Sequence, residues 1–470
     1  MKPIALLTSA LLLLALLGSS RAATPAPTLP LPTPEQLAWQ RCELTMFCHF
    51  GMNTFTDREW GLGKEDERLF NPSALDARQW ARTAKQAGFK LMILTAKHHD
   101  GFCLWPSKFT EHCLKNSPWK EGRGDVVRQF VEACRSEGLK VGLYLSPWDR
   151  NNPAYGSDAY NDYFVAQLTE LLTNYGPVDE MWFDGACGEG PNGRKQVYDW
   201  ARYYATIRRL APHALIAISG PDIRWVGNES GVARPNESSV RPDGSGPDGR
   251  PRLKWYPAEC DVSIRPGWFY HAREDGQVKP LSKLLEIYFA SVGRNSVLLL
   301  NVPPDRRGLF SAADCKRLRE FAAAVRGLQQ GRVKATATAT GRALAGFSAA
   351  EAVDGNLDTY WSPGPDATTG TLELDFGAPQ AFNVLDVQEA IALGERVSKY
   401  RIDVQLADGW RTLVRGTVIG QRNLYPIATT TARRVRLVIE EAKLPPCIAE
   451  FGVRLAPLAP PPQKPPLAAN

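Results

Sequence analysis

The sequence lacks the short motifs by which many cofactor-binding proteins are recognised. Its six histidines form no H-E-x-x-H pattern and its nine cysteines form no C-x-x-C pair, so nothing indicates a zinc protease, a zinc ribbon or a disulfide framework. No G-x-G-x-x-G or P-loop follows an apolar run, which argues against a nucleotide-binding sheet. The formal net charge is only +6 over 470 residues and the basic residues are scattered, so nucleic acid is not a predicted partner.

A long apolar run occurs only at the start of the chain. Lys2 precedes a largely apolar stretch from 4 to 17, and Ser20 and Ala22 follow it, a pattern typical of a signal peptide. No later stretch approaches the ~18 uninterrupted apolar residues that a membrane helix needs. We therefore predict that residues 1–22 are a signal peptide and that the mature protein is exported, to a periplasm or out of the cell, without a membrane span.

Proline-rich stretches flank the part of the chain that can fold. Residues 23–35 are predicted to be a flexible spacer and residues 457–470 a disordered tail, because neither has apolar residues enough to bury. Between them lies more chain than one hydrophobic core usually contains, so two domains are expected. The sequence pattern changes from alternating strands and helices to short strands alone near residue 331, which we take as the domain boundary.

Residues 36–330 alternate between apolar strands and amphipathic helices. Strands that are apolar on both faces, as in 89–102 and 178–183, are typical of a parallel sheet covered by helices. Roughly six to eight such units favour an α/β fold of the (β/α)8-like TIM barrel type. Residues 331–456 instead contain short alternating segments rich in threonine and valine, which predict a smaller all-β sandwich domain.

The polar residues of the predicted barrel gather where its strands end. Asp184 directly follows the buried segment 178–183, and strand ends of a parallel barrel converge on one face. We therefore predict an active site there with Asp184 as a catalytic carboxylate, the alternative being an acid that only caps a turn. The residues expected at the same face are His49, Glu59, Trp60, His98, His99 and Tyr144.

Two kinds of chemistry could use such a face. Zinc could be held by His98, His99 and Asp100 together with His49, but neighbouring residues on a strand point to opposite sides, so we predict no metal ligands. A sugar would be bound by imidazole and carboxylate groups at its hydroxyls and by indole faces at its apolar face. The tryptophans available are Trp60, Trp182, Trp225 and Trp268, unless they serve only for packing.

Six segments of the barrel region resemble the retaining α-L-fucosidases in the same order along the chain. They are HFGMNTF (49–55), EW (59–60), KHHDGFCLW (97–105), GLYLSPWD (142–149), MWFDG (181–185) and LLLNVPPDRRG (298–308). The resemblance implies that Asp184 is the nucleophile. It also implies a substrate-binding set, for which we take His49, Glu59, Trp60, His98, His99, Tyr144, Trp182, Arg224 and Trp268.

The acid/base residue is less clearly marked. The segment RWVGNESG (224–231) resembles the branch of the family that prefers α-1,3- or α-1,4-linked fucose, which implies that Glu229 is the acid/base. Glu259 and, less favoured, Glu237 are the alternatives. Retaining glycosidases hold the two carboxyl groups ~5–5.5 Å apart, one ionised and one protonated. We expect neighbouring histidines to favour ionised Asp184 and the apolar wall of Trp225 to favour protonated Glu229.

The second domain resembles a discoidin-like, factor 5/8 type C module. The segments are AVDGNLDTYW (352–361), LDFG (374–377), YRIDVQLADGW (400–410) and ARRVRLVI (432–439). Such a module could bind glycans or could be a structural companion of the barrel. Asp354 and Asp358 could ligate a structural calcium ion, although ordinary turn acids are the favoured explanation.

These observations favour an exported exo-acting α-L-fucosidase that acts on fucosylated oligosaccharides or glycoconjugates and requires no cofactor. Three alternatives remain: a non-catalytic glycan-binding protein, a metal-dependent hydrolase, and a fucosidase of the α-1,2 or broad-specificity branch. The sequence does not indicate the disulfide pairing or the oligomeric state.

Overall fold

The computed structural model describes residues 29–245, 251–340 and 346–461. The predicted signal peptide, residues 23–28 of the predicted spacer and residues 462–470 of the predicted tail lie outside the described residues. The spacer prediction extended too far, because a helix begins at Pro34 with Thr33 as its capping residue. No helix in the described part of the chain is long and apolar enough to cross a membrane.

The first domain contains eight α-helices and ten strands within the described residues. In chain order they are α1 (Pro34–Gln40), β1 (Leu44–Cys48), α2 (Met52–Thr56), α3 (Ala77–Gln86), β2 (Leu91–Lys97), α4 (Val126–Ser136), β3 (Lys140–Leu145), α5 (Asp158–Asn174), β4 (Glu180–Phe183), α6 (Trp200–Leu210), β5 (Leu215–Ile218), β6 (Arg224–Trp225), β7 (Val240–Ser245), β8 (Pro251–Trp255), β9 (Ala258–Ser263), α7 (Leu281–Ser291), β10 (Ser296–Asn301) and α8 (Ala312–Gln330).

Eight of these strands form a nearly closed parallel barrel. Their order is β5, β4, β3, β2, β1, β10, β9, β6, and a single parallel bridge between Ala217 and Ile223 approaches closure at the remaining seam. Strands β1 and β2 are buried along their whole length, as expected for strands with helices on one side and the barrel interior on the other. The predicted barrel is therefore confirmed.

Aspartates at helix starts define where several of the covering helices begin. Asp76 caps α3 by accepting from two main-chain N–H groups, Asp125 caps α4, and Asp199 caps α6. Each carboxylate satisfies amide groups that have no partner inside the helix. The predicted strand–helix alternation follows from these caps together with the apolar strands between them.

Two barrel strands had not been predicted. Strand β6 is only two residues long, and β9 contains Glu259 and Asp261, so neither forms an apolar run. Both acids of β9 are nevertheless buried, because the indole N–H groups of Trp182 and Trp225 donate hydrogen bonds to them. No helix connects β6 to β9 in the described residues. The antiparallel hairpin of β7 and β8 lies between them instead.

The second domain is an antiparallel β domain, as predicted. Its strands are β11 (Thr336–Ala339), β12 (Gly370–Glu389), β13 (Val397–Leu406), β14 (Gly409–Gly416), β15 (Asn423–Ala442) and β16 (Ile448–Arg454). All six belong to one sheet, because β12 and β15 are each 20 residues long and their pairing register shifts along the way. The sheet encloses its own apolar core, which includes Trp361 and Tyr400.

A buried ion network joins the two domains. Arg422, 5% exposed, donates through Nη2 to Asp386 Oδ2 at 2.8 Å and through Nη1 to Glu43 Oε1 at 2.9 Å. Asp386 also accepts from Arg454 Nε at 2.7 Å. Since Glu43 precedes β1 of the barrel, the β domain is fixed to the barrel by paired charges that water does not screen.

The nine cysteines all lie in the described residues and all carry free thiols, eight of them buried. The turn acids of the β domain also have partners. Asp354 accepts from Asn356 N and Thr359 Oγ1, both at 2.8 Å, and Asp358 pairs with Arg41 of the barrel at 2.7 Å. These contacts are those of acids that stabilise a turn and a domain contact.

Replacement of Arg422 by alanine should destabilise the protein by about 3 kcal/mol, because Glu43 would lose its buried partner and Asp386 would keep only Arg454. The measurement is urea unfolding, monitored by fluorescence. Arg433→Ala is the matched control, since Arg433 pairs with Asp375 at the surface and should unfold as the unaltered protein does. An unaltered urea midpoint for Arg422→Ala would contradict this account of the domain contact.

Candidate active site

A cleft of about 290 Å³ opens at the carboxyl ends of the barrel strands. Most of the residues predicted for the site line it, and they come from different loops that the barrel brings together. The lining residues are Phe47, His49, Glu59, Trp60, His98, His99, Trp182, Asp184, Gly185, Ala186, Ile218, Trp225, Glu229, Asp261 and Trp268.

Asp184 lies at the inner wall of the cleft, directly after β4. Its Oδ1 accepts from the main-chain N–H of Ala186 at 2.7 Å, and its Oδ2 accepts from the hydroxyl of Tyr144 at 3.3 Å. Burial raises the pKa of this carboxyl group, and the two hydrogen bonds oppose that shift. Its anionic form therefore depends on these two donors.

The three cleft histidines carry no charge that could stabilise Asp184. Burial lowers the pKa of His49 and of His99 to about 3 and that of His98 well below its usual value. His99 Nε2 lies 3.8 Å from Asp184 Oδ2, so it is close but neutral. The expectation that histidine charge keeps Asp184 ionised is thus wrong, because dry surroundings disfavour the imidazolium.

Each histidine is oriented through its Nδ1 atom. His49 Nδ1 lies 2.9 Å from Asn301 Oδ1, His98 Nδ1 lies 3.3 Å from Asn53 Nδ2, and His99 Nδ1 lies 2.7 Å from Ser146 Oγ. Because an amide nitrogen can only donate, His98 accepts at Nδ1 and carries its proton on Nε2. The Nε2 atoms remain available to hydroxyl groups of a ligand.

The alternative of a zinc site is not supported by the arrangement of these residues. No group of three or more His, Cys, Asp or Glu side chains within residues 29–245, 251–340 and 346–461 is placed to hold a metal ion. Strand β2 ends at Lys97, so His98 and His99 do both reach the cleft. Asp100, however, accepts from Phe102 N at 2.7 Å and does not line the cleft.

The base of the cleft is built from stacked aromatic rings above a buried acid. Tyr144 stacks on Trp182 with ring centroids 5.3 Å apart, and Trp182 Nε1 donates to Glu259 Oε1 at 2.8 Å. Burial raises the pKa of Glu259 well above its usual value, and this side chain does not line the cleft. Glu259 is therefore placed beneath the site and supports its base.

Two other predicted residues contact each other away from the cleft. Arg224 pairs with Glu237 and donates through Nε to Tyr256 O at 3.0 Å, and Glu237 is also paired with Arg241. Neither Arg224 nor Glu237 lines the cleft. The prediction that Arg224 binds substrate is not supported, because its side chain points away from the cleft and contacts residues next to the β7–β8 hairpin.

Glu229 stands at the mouth of the cleft on the loop after β6. Its Oε2 accepts from Trp268 Nε1 at 3.3 Å. Asn228 closes the turn beneath it, accepting from Ser230 N at 3.1 Å and donating to Val232 O at 2.8 Å. Glu229 is thus the one of the three proposed acid/base residues that shares the cleft with Asp184.

Asp261 is a cleft residue that sequence reasoning missed. It accepts from Trp225 Nε1 at 2.7 Å, and burial raises its pKa to about 7, with the charges of Glu229 and Asp184 adding to the shift. Asp261 lies two residues beyond Glu259, so the two point to the same side of β9. Recognition of that alternation in AECDVS would have placed Asp261 at the strand end.

A barrel whose strand ends enclose several carboxylates among tryptophan and histidine side chains has the arrangement of a glycoside hydrolase. The comparisons specify which kind. Residues 37–326 match the profile described as alpha-L-fucosidase, and residues 334–450 match that of the F5/8 type C domain. The chain belongs to the alpha-L-fucosidase family and is a glycoside hydrolase of that family.

Relatives with known names or structures agree along nearly the whole chain. Alpha-L-fucosidase 1 of Arabidopsis thaliana is 41% identical over 456 residues, which cover 91% of this chain and 88% of that protein. The crystal structure of SpGH29 is 39% identical, has a TM-score of 0.85 and covers 92% of this chain and 100% of its own. A Ruminococcus gnavus GH29 fucosidase in complex with fucose is 30% identical, with a TM-score of 0.85 and coverage of 93% and 97%.

Replacement of Tyr144 by phenylalanine should shift the acidic limb of the kcat/KM profile to higher pH. The hydroxyl stabilises the anion of Asp184, so its loss raises the pKa below which Asp184 is protonated. Tyr288→Phe is the control, because Tyr288 lies on α7 and contacts Glu43 at 3.5 Å. An acidic limb at the same pH in Tyr144→Phe would show that this hydrogen bond does not control Asp184.

Proposed function

We propose that the protein is an exo-acting α-L-fucosidase that releases terminal fucose with retention of configuration, from α-1,3- and α-1,4-linked positions of glycans. The observation that carries the proposal is the pair of acids in one cleft, Asp184 half-buried at its wall and Glu229 exposed at its mouth. Fucose is present in the related Ruminococcus gnavus complex. Trp182, which lines the cleft and stacks on Tyr144, offers an aromatic surface to a terminal sugar.

Asp184 is the nucleophile in this proposal. Its carboxylate attacks the anomeric carbon, a bond from carbon to oxygen forms, and the bond to the leaving oxygen breaks. Tyr144 and the N–H of Ala186 hold the carboxylate in place and favour its ionised form. The neutral histidines bind the sugar hydroxyls without forming ion pairs that would compete for Asp184.

Glu229 is the acid/base. It gives its proton to the departing oxygen in the first step and takes a proton from the attacking water in the second. Its exposed position in the same cleft as Asp184 supports this role, because the leaving group of a terminal sugar would extend toward solvent.

The linkage preference rests on the resemblance of RWVGNESG and on the exposed aromatic rim. Trp225 is 41% exposed and Trp60 is 56% exposed, so both can contact the sugar to which fucose is attached. The second candidate is cleavage of α-1,2 linkages, which the same rim would have to accommodate in another orientation.

The proposal also extends to regions outside the cleft. Residues 1–22 lead us to infer that the protein is exported. The reaction needs no cofactor, because both catalytic carboxyl groups belong to the chain. We take the β domain to be a structural companion of the barrel, because Arg422 connects the two through buried charges. Asp354 and Asp358 then act as turn acids without calcium.

Removal of the nucleophile should abolish turnover except in the presence of an added anion. Asp184→Gly is expected to lower kcat for an aryl α-L-fucoside by roughly 10³-fold or more, because the covalent intermediate cannot form. Added azide should enter the space of the missing carboxylate and yield β-L-fucosyl azide, detected by mass spectrometry and NMR. Substantial activity without azide would remove Asp184 from this role.

Loss of the acid/base should affect poor leaving groups most. Glu229→Ala should lower kcat/KM for a natural fucosylated trisaccharide by about 10²-fold or more, and much less for an aryl fucoside whose leaving group needs no proton. Glu259→Gln is the matched control and should not discriminate between the two substrates. Equal losses for both substrates in Glu229→Ala would favour Glu259.

The linkage preference predicts which oligosaccharides are cleaved. Lewis-type trisaccharides with α-1,3- or α-1,4-linked fucose should be hydrolysed, and 2′-fucosyllactose should be hydrolysed at least about tenfold more slowly, because its leaving group meets the rim differently. Chromatography of the released fucose measures both. Cleavage of 2′-fucosyllactose alone would contradict the linkage and weaken the assignment of Glu229.

A further inference from the structure

His271 is a buried histidine that the proposed mechanism does not use. It is 1% exposed and lies between two carboxylates, with Nδ1 2.6 Å from Asp57 Oδ1 and Nε2 2.6 Å from Glu59 Oε1. Both ring nitrogens can donate at once only in the imidazolium form. The hydrogen bond from His271 lowers the pKa of Asp57, and Arg273 Nη1 donates to Asp57 Oδ2 at 2.6 Å.

Glu59 is the inner partner of His271 and also reaches the cleft. Its Oε2 accepts from Trp268 N at 2.7 Å, and its Oε1 accepts from Phe269 N at 3.2 Å in addition to His271. The side chain is 35% exposed and lines the cleft. Three hydrogen bonds to one carboxylate fix its orientation while part of it faces the ligand space.

Trp268 is the residue that these contacts place. Its carbonyl oxygen accepts from Asn301 Nδ2 at 2.8 Å, so its main chain is held on both sides, by Glu59 and by Asn301. Its indole Nε1 donates to Glu229 Oε2 at 3.3 Å. A shift of Glu59 would therefore move the indole that contacts the proposed acid/base.

The contacts join two loops that are far apart in the sequence. Asp57 and Glu59 follow α2, and Trp268 and His271 lie between β9 and α7. The loops approach so closely that a Cβ atom at Gly267 would lie 2.6 Å from Glu59 Oε1. Only glycine fits there without a shift of Glu59, so the two loops can approach this closely because residue 267 is a glycine.

We propose that His271 is a positioning residue, which, held between Asp57 and Glu59, fixes Glu59 and through it Trp268 against Glu229. The proposal rests on the proposed function of the same cleft. A purely structural histidine would contribute equally through either nitrogen. The geometry assigns unequal roles, because the Nε2 contact orients a cleft residue and the Nδ1 contact only anchors the ring.

The two nitrogens can be tested separately with a matched pair of variants in the full chain. The amide of His271→Gln can reach the Nε2 position and donate to Glu59, whereas that of His271→Asn can reach the Nδ1 position and donate to Asp57. We expect calorimetry to show fucose binding about tenfold or more weaker in His271→Asn and less than about threefold weaker in His271→Gln. Their unfolding temperatures should fall by similar amounts, since each loses one contact.

Equal weakening in the two variants, or greater weakening in His271→Gln, would overturn the proposal. Asp57→Ala gives a second measurement at a half-exposed position and keeps the contact of His271 with Glu59. We expect fucose binding less than about threefold weaker there, as in His271→Gln, because both variants lose only the Nδ1 contact. Binding as weak as in His271→Asn would also overturn the proposal. If the unaltered protein neither bound fucose nor cleaved an aryl α-L-fucoside, the proposed function itself would fail.

Discussion

The carboxylate of Asp184 is stabilised by two hydrogen bonds, and no Lys or Arg side chain among the described residues pairs with it. Its donors are the N–H of Ala186 and the hydroxyl of Tyr144, while the nearest histidine, His99, is neutral. A carboxylate held by dipoles remains available to attack a neutral sugar, whereas a salt bridge would have to be broken first. Because burial raises the pKa of Asp184, these two hydrogen bonds are what favours its ionised form.

The barrel interior holds Tyr144, one of these two donors, in place. Tyr144 stacks on Trp182, whose indole N–H donates to Glu259, and the indole N–H of Trp39 likewise donates to buried Glu180. Burial raises the pKa of Glu180 to about 8 and that of Glu259 well above its usual value. Acids that stay neutral can lie in the core without a counter-ion, and they accept from indoles that would otherwise be unsatisfied.

Local sequence patterns predict much of this architecture. Apolar strands ending in polar residues predicted the barrel and brought His49, Asp184 and Trp60 to one face, because strand direction alone determines which ends converge. Side-chain direction and protonation could not be predicted in this way. Arg224 points away from the cleft and the histidines are neutral, and both facts depend on partners and burial that only the tertiary structure defines.

In the proposed mechanism, fucose is first bonded to Asp184 and is then released by water with its original configuration. Proton NMR of the reaction on an aryl α-L-fucoside, recorded before the sugar mutarotates, tests this directly. Two displacements at the anomeric carbon predict that α-L-fucose appears first and that its β anomer grows in later. If the β anomer appeared first, water would have attacked directly, and Asp184 could not be the nucleophile.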